Sequence, residues 1–117
     1  MNNNKLASKS IIKRPTKSDG LRVCVMRRIK PNYKFDIWIP KLSPSTKLLD
    51  DYVVNKKLTW EEFSKKFKKQ VLQKNNDLLQ MLYGISTKRK ITLLCFEVND
   101  KKCHRSLIIE QLNNLKT

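Results

Sequence analysis

The chain has 117 residues, with 26 Lys+Arg against 10 Asp+Glu and a formal net charge of +16 at pH 7. That length suits one compact domain and is short for two ordinary ones. No apolar run approaches the roughly 20 residues of a membrane span, and the polar opening Met1 to Ser10 lacks the apolar core of a secretory signal. The expectation is a cytoplasmic protein, off the membrane, with its thiols reduced.

Residues 1–10 are rich in Asn, Lys and Ser and read as a flexible basic tail. The single domain is expected over residues 11–117, beginning with a short extended piece, Ile11 to Arg14, ended by Pro15. Ser18-Asp19-Gly20 is a turn, because Asp supplies a side-chain acceptor and Gly a permissive backbone. Leu21 to Met26 is nearly continuous in hydrophobicity and predicts a strand that stops at Arg27-Arg28. The stretch Ile29 to Pro44 carries three prolines and two bulky anchors, Phe35 and Trp38, and reads as a structured loop.

Ser45 caps a short helix through Leu48, Leu49, Tyr52 and Val53. Thr59 and Glu62 form a capping-box pattern opening a longer one. Trp60, Phe63, Phe67 and Val71 fall on one face of that helix, while Lys65, Lys66, Lys68 and Lys69 fall on another. Asn75-Asn76-Asp77 breaks it, and Leu78 to Tyr83 forms a further helix with Gly84 just past its end. Ile91 to Glu97 is the second clear strand. A last helix carries Leu107, Ile108, Leu112 and Leu115. Two apolar strands separated by helices imply a crossover connection. The expected class is α/β: a short, mostly parallel sheet flanked by helices.

In such sheets ligands bind at the carboxyl ends of the strands. One strand delivers Arg27 and Arg28 there; the other delivers Cys95 and Glu97, followed by Lys102, Cys103, His104 and Arg105 at the start of the last helix. With Asn99 or Asp100 as cap, Cys103 falls in the first turn, where unpaired backbone N–H groups and the helix dipole favour a thiolate or a bound anion. Cys103 is therefore a candidate nucleophile and His104 a candidate acid/base. Arg27, Arg28, Arg105 and Lys102 are candidate anion ligands. Glu97 is either a general base or the carboxylate that holds Arg105, and His104 alone could equally be a satisfied structural histidine. Cys95 belongs either to packing or to the site, whereas Cys24, in mid-strand, reads as a small buried hydrophobe.

Three cysteines and one histidine raise the question of zinc. Adjacent Cys103 and His104, with no C-x-x-C pair, argue against a shared tetrahedral site, so no metal or cofactor is assigned. A redox pair between Cys95 and Cys103 is the other reading of those thiols. With only Gly20 and Gly84, a glycine-rich phosphate loop is excluded. The excess of positive charge points to a phosphate-containing small molecule or a nucleic acid as partner. The alternative is a non-catalytic nucleic-acid-binding or accessory module using the lysine-rich surface, without a recognisable sequence-reading motif.

The string Ile91-Thr92-Leu93-Leu94-Cys95-Phe96-Glu97 followed by Cys103-His104-Arg105 resembles the strand–loop–helix of the domain of unknown function 488 family. Further matches are Ser18 to Val23, Val25 to Arg28, Trp38, Leu42 to Ser45 and Leu58 to Phe63, so the likeness runs over roughly residues 11–116. YeaO-like members carry Asp-Arg-Leu-Trp-Pro-Arg-Gly after the first strand. Here Met26-Arg27-Arg28-Ile29-Lys30-Pro31-Asn32 stands instead, closer to the archaeal-type branch, and any role of the missing Asp does not carry over. The resemblance implies an α/β fold and a pocket of Arg27, Cys95, Glu97, Cys103, His104 and Arg105. It implies no particular reaction.

Overall fold

Four parallel strands form the frame that brings Arg27, Arg28, Cys95 and His104 to one edge. The computed structural model describes residues 6–96 and 103–115. Its strands are β1 (Leu6–Ser10), β2 (Leu21–Cys24), β3 (Ile37–Trp38) and β4 (Ile91–Cys95), in the order β1-β4-β2-β3. The helices are α1 (Thr46–Val53), α2 (Trp60–Phe67), α3 (Asn76–Ser86) and α4 (His104–Asn114). The molecule is a single α/β domain. Among the described residues, no helix is long and apolar enough to cross a membrane.

The central strand is β4, all five of whose residues are buried, as a strand paired on both sides should be. Its register sets Leu93 beside Val23 of β2 and Ser8 of β1. Side chains alternate along a strand. Val23, Val25, Ile91 and Leu93 thus fall on one face, in a single core with Leu48 of α1, Phe63 and Phe67 of α2, Leu79 and Leu82 of α3, and Ile108 and Leu112 of α4. The helices therefore pack where these odd-numbered strand residues point.

The opposite face carries Arg22, Cys24, Thr92 and Leu94, all buried. There the turn before β2 folds back over the sheet. Asp19 accepts from Lys9 of β1 at 3.0 Å and from Arg22 of β2, and its carbonyl accepts from the Thr92 hydroxyl of β4 at 2.7 Å. One residue thus ties three strands. Burial would raise its carboxyl, but the Thr16 backbone N–H, Lys9, the Thr16 hydroxyl and Arg22 outweigh that and hold it well below the usual carboxylate range. Gly20, which follows, sits at φ +63°, and a Cβ there would run into the carbonyl of Lys90.

Local signals explain the helices. The Ser45 hydroxyl accepts from Leu48 N at 3.1 Å, and Thr59 with Glu62 forms a reciprocal capping box at 3.1 and 2.9 Å. Tyr52, Trp60, Phe63 and Phe67 form an aromatic chain with centroids 4.8 to 6.1 Å apart, and Phe67 meets the edge of His104 at 5.6 Å. The helical packing therefore reaches the candidate site directly.

The structure corrects several expectations. Residues 6–10, expected in the tail, form β1, since pairing with β4 satisfies their backbone and places Leu6 against the core. The first strand expected to run to Met26 ends at Cys24, and the second ends at Cys95 rather than Glu97 within the described range. The proline-rich loop contains β3 and a 3-10 turn at Pro40–Leu42. Gly84 lies inside α3, which runs two residues further, because the helix tolerates glycine where nothing else fills the space. Between α2 and α3 the chain remains helical through a π turn and a 3-10 turn, and the backbone leaves helical angles at Asn75, with φ −120° and ψ 34°.

Candidate functional site

At the carboxyl edge of the sheet lies a cavity of about 410 Å³ lined by Met26, Arg27, Arg28, Pro44, Leu49, Cys95, Phe96 and His104, with Ser43 and Thr46. Three connections meet there: the segment leaving β2, the turn leading into α1, and the end of β4 with the start of α4. Arg27 and Arg28 are exposed. Arg27 is steadied by its Nε, which donates to the Pro44 carbonyl at 3.1 Å. Met26, Leu49 and Phe96 supply apolar lining, with Leu49 and Phe96 both exposed.

Cys95 forms the floor. It is the last residue of β4, on the face that meets the helices, and only 1% exposed. Arg105 comes to it from α4: Nη1 donates to Cys95 Sγ at 3.3 Å, to the Cys95 carbonyl at 3.4 Å and to the Lys9 carbonyl at 3.2 Å. The guanidinium thus ties α4 to β1 and β4. On the opposite face of the sheet, burial pushes the Cys24 thiol up, only partly offset by the Met26 backbone N–H.

His104 opens α4 and is buried. Its Nε2 lies 2.7 Å from the Val25 carbonyl, which can only accept, so Nε2 carries the proton and Nδ1 is the lone-pair atom. Nδ1 faces Cys103 Sγ at 3.8 Å. Burial lowers the pKa of this histidine to about 4; the Val25 hydrogen bond opposes that and the charge of Arg105 adds to it. His104 is therefore a neutral imidazole near pH 7 with both ring nitrogens engaged in the interior.

Cys103 is the N-cap of α4 rather than a first-turn residue, with extended backbone at φ −120°, ψ 146°. Its carbonyl accepts from the Ser106 hydroxyl at 2.7 Å and the Ser106 N–H at 3.0 Å, fixing the cap without using the thiol. Its sulfur is joined to that of Cys95 as a disulfide spanning eight residues, with Cα atoms 7.9 Å apart. Cys95, Cys103 and His104 also offer three ligand atoms within 4.8 Å of one another. Metal binding requires thiolates, so such a site exists only when the sulfurs are parted.

Arg27, Arg28, Cys95 and His104 thus share one cavity, and Cys103 is bonded to Cys95 without lining it. Arg105 turns inward and contacts Cys95 instead of the cavity space. Glu97 and Lys102, with Asn99 and Asp100, lie outside the described residues. Sequence reasoning missed Met26, Ser43, Pro44, Thr46, Leu49 and Phe96 as lining residues. Phe96 alone carried a signal, as an aromatic directly after an apolar strand.

The family model DUF488-N3a, described as the active DUF488-N3 subclade, matches residues 6–116. This chain belongs to the DUF488 family. Comparison with curated proteins and with solved structures gave no match. As a DUF488 protein of the subclade described as active, it carries a Cys-Cys-His cluster beside Arg105 at the start of α4.

Proposed function

We propose that this DUF488 protein is an enzyme that uses Cys95 as a nucleophile on a phosphate-bearing substrate, either a small molecule or a nucleic acid. The observation that carries the reading is the Arg105 N–H donated to Cys95 Sγ at the floor of a cavity lined by Arg27 and Arg28. A thiolate there donates an electron pair to the electrophilic phosphorus or carbon of the substrate. The leaving group departs with its bonding pair and takes a proton from water at the open mouth. A second water then displaces the sulfur, restores the thiolate and gives up its proton to the hydroxide left by the first. Arg27 and Arg28 hold the anionic group with forked donors and offset its charge. His104, fixed to Val25, positions α4 rather than moving a proton. Inorganic phosphate should protect Cys95 of the reduced protein from iodoacetamide, and Arg27→Ala with Arg28→Ala should abolish that protection. Alkylation indifferent to phosphate in the parent protein defeats the reading.

The second reading, a nucleic-acid-binding module, is favoured by Lys65, Lys66 and Lys69, all exposed along one helical stretch, while Lys68 bridges to Glu110 at 3.0 Å. Phosphate contacts of this kind weaken steeply with salt, by about 0.9 log unit of affinity per log unit of salt for each phosphate neutralised on duplex DNA. Salt-titrated binding to duplex and single-stranded oligonucleotides tests it, and no binding at low salt eliminates it.

A further inference from the structure

We infer that Cys103 is a resolving thiol, through which a hydroperoxide reversibly switches off Cys95. The inference deepens the proposed function, since it takes Cys95 as the reactive sulfur.

Three observations support it. Cys95 lines the cavity, so it is the sulfur an oxidant there meets first, and the Arg105 N–H lies on that sulfur at 3.3 Å. Cys103 holds its sulfur in bonding contact with Cys95 and does not line the cavity, so it is poised to react with Cys95 while lying off the path of an oxidant that enters there. Its position is set by the α4 cap and the two Ser106 bonds, which leave the sulfur free for that contact. The remaining cysteine, Cys24, is buried on the opposite face of the sheet and cannot compete.

The chemistry balances in two steps. The Cys95 thiolate attacks the distal oxygen of ROOH, the O–O bond breaks, and one proton is taken up, giving the sulfenic acid and ROH. The Cys103 sulfur then displaces hydroxide from the sulfenic acid, forming the S–S bond and releasing water. Two equivalents of a thiol reductant return both thiols by exchange and are themselves joined as a disulfide. His104 lines this pair through Nδ1 and can accept the Cys103 thiol proton as a hydrogen bond before the second step. Once the bond closes, Cys95 has no thiolate to offer a substrate, while oxidation beyond sulfenic acid is prevented. The rival use of the same atoms is capture of a thiophilic divalent cation by Cys95, Cys103 and His104, whose ligand atoms are close enough for it.

The test takes the full chain, reduced and freed of reductant, and adds hydrogen peroxide in graded equivalents. Intact mass should fall by about 2 Da, the loss of two hydrogens on disulfide formation. Peptide mapping should join Cys95 to Cys103 with Cys24 left free, and dithiothreitol should restore iodoacetamide labelling completely. In Cys103→Ser, dimedone should trap sulfenic acid at Cys95, and longer exposure should give sulfinic acid that dithiothreitol does not reverse. The proposal is overturned if the parent protein over-oxidises Cys95 without pairing, or if Cys24 enters the bond. It is also overturned if the reduced protein binds Co²⁺ with a thiolate charge-transfer band and the ion, not a disulfide, protects Cys95. The parent-protein arms stand whether or not the variant folds. A reactive Cys95 that fails to pair sinks this inference and leaves the nucleophile reading intact. A disulfide that forms while reduced Cys95 is inert to iodoacetamide and unprotected by phosphate sinks the nucleophile reading.

Discussion

Acid should weaken this protein through one histidine before it reaches the carboxylates. His104 is the only histidine in the chain, and its pKa falls from 6.5 to about 4 on folding because the ring is buried against Val25 and Phe67. A group held neutral in the fold but free to protonate when unfolded binds fewer protons in the native state. Stability therefore falls as pH drops below the unfolded value of about 6.5 and stops falling below the folded value. Each pKa unit is worth about 1.4 kcal/mol, so the full effect is roughly 3 kcal/mol, with about 2 kcal/mol already lost by pH 5. Urea unfolding at pH 7.5 and pH 5 measures this, with His104→Gln as the variant that cannot titrate. The parent should lose stability between the two pH values and the variant should not. Nitrogen NMR of the single ring gives a second readout: Nε2 protonated, Nδ1 unprotonated, and no titration down to pH 5. Equal pH slopes in parent and variant, or a ring that titrates near 6.5, refute the placement of His104.

Four other outcomes follow from the packing. Gly84→Ala should stabilise the protein by about 0.5–1 kcal/mol, since glycine sits inside α3 with open space around it. Gly20→Ala should destabilise it by more than about 1 kcal/mol through the positive φ and the Lys90 carbonyl; thermal unfolding of both distinguishes them, and equal effects contradict the assignment. Asp19→Asn should cost roughly 3 kcal/mol by leaving Arg22 buried without its carboxylate. The parent should lose that contribution only as pH falls below about 4, the unfolded carboxylate value, which urea unfolding of both proteins at pH 5 and pH 3 measures. Arg105→Ala should cost about 3 kcal/mol or more, because the side chain is buried and bonds to both β1 and β4; chemical unfolding that leaves stability unchanged would remove it from the frame.

Much of the fold was legible because local signals agreed with tertiary packing. The apolar runs at Leu21 and Ile91, the Ser45 cap and the Thr59–Glu62 box are each short-range features, and each sits where its chemistry requires. What escaped depends on partners distant in sequence. Leu6 to Ser10 alternates too few apolar residues to announce a strand, and becomes one only beside β4, some 85 positions away by the register of Leu6 on Ile91. The pair Ile37–Trp38 is too short to carry a period. Gly84 misleads because a glycine inside a helix looks like one past its end.

The site divides the same way. The rule that ligands gather at strand ends leads to Arg27, Arg28, Cys95 and His104 from sequence alone. The direction of Arg105 was not legible, because it depends on where α4 begins. With Cys103 as the cap, Arg105 is the second helical residue and turns back over β4. That phase moves emphasis from the thiol of Cys103 to that of Cys95.

The most direct measurement is the iodoacetamide reactivity of Cys95 in the reduced, full-length protein at pH 7, followed by peptide mapping beside a free-cysteine standard. Cys95 should react faster than free cysteine, while Cys24, buried away from the cavity with its thiol raised, should stay unlabelled. Labelling of Cys95 slower than the standard, or confined to Cys103, would contradict the nucleophile reading.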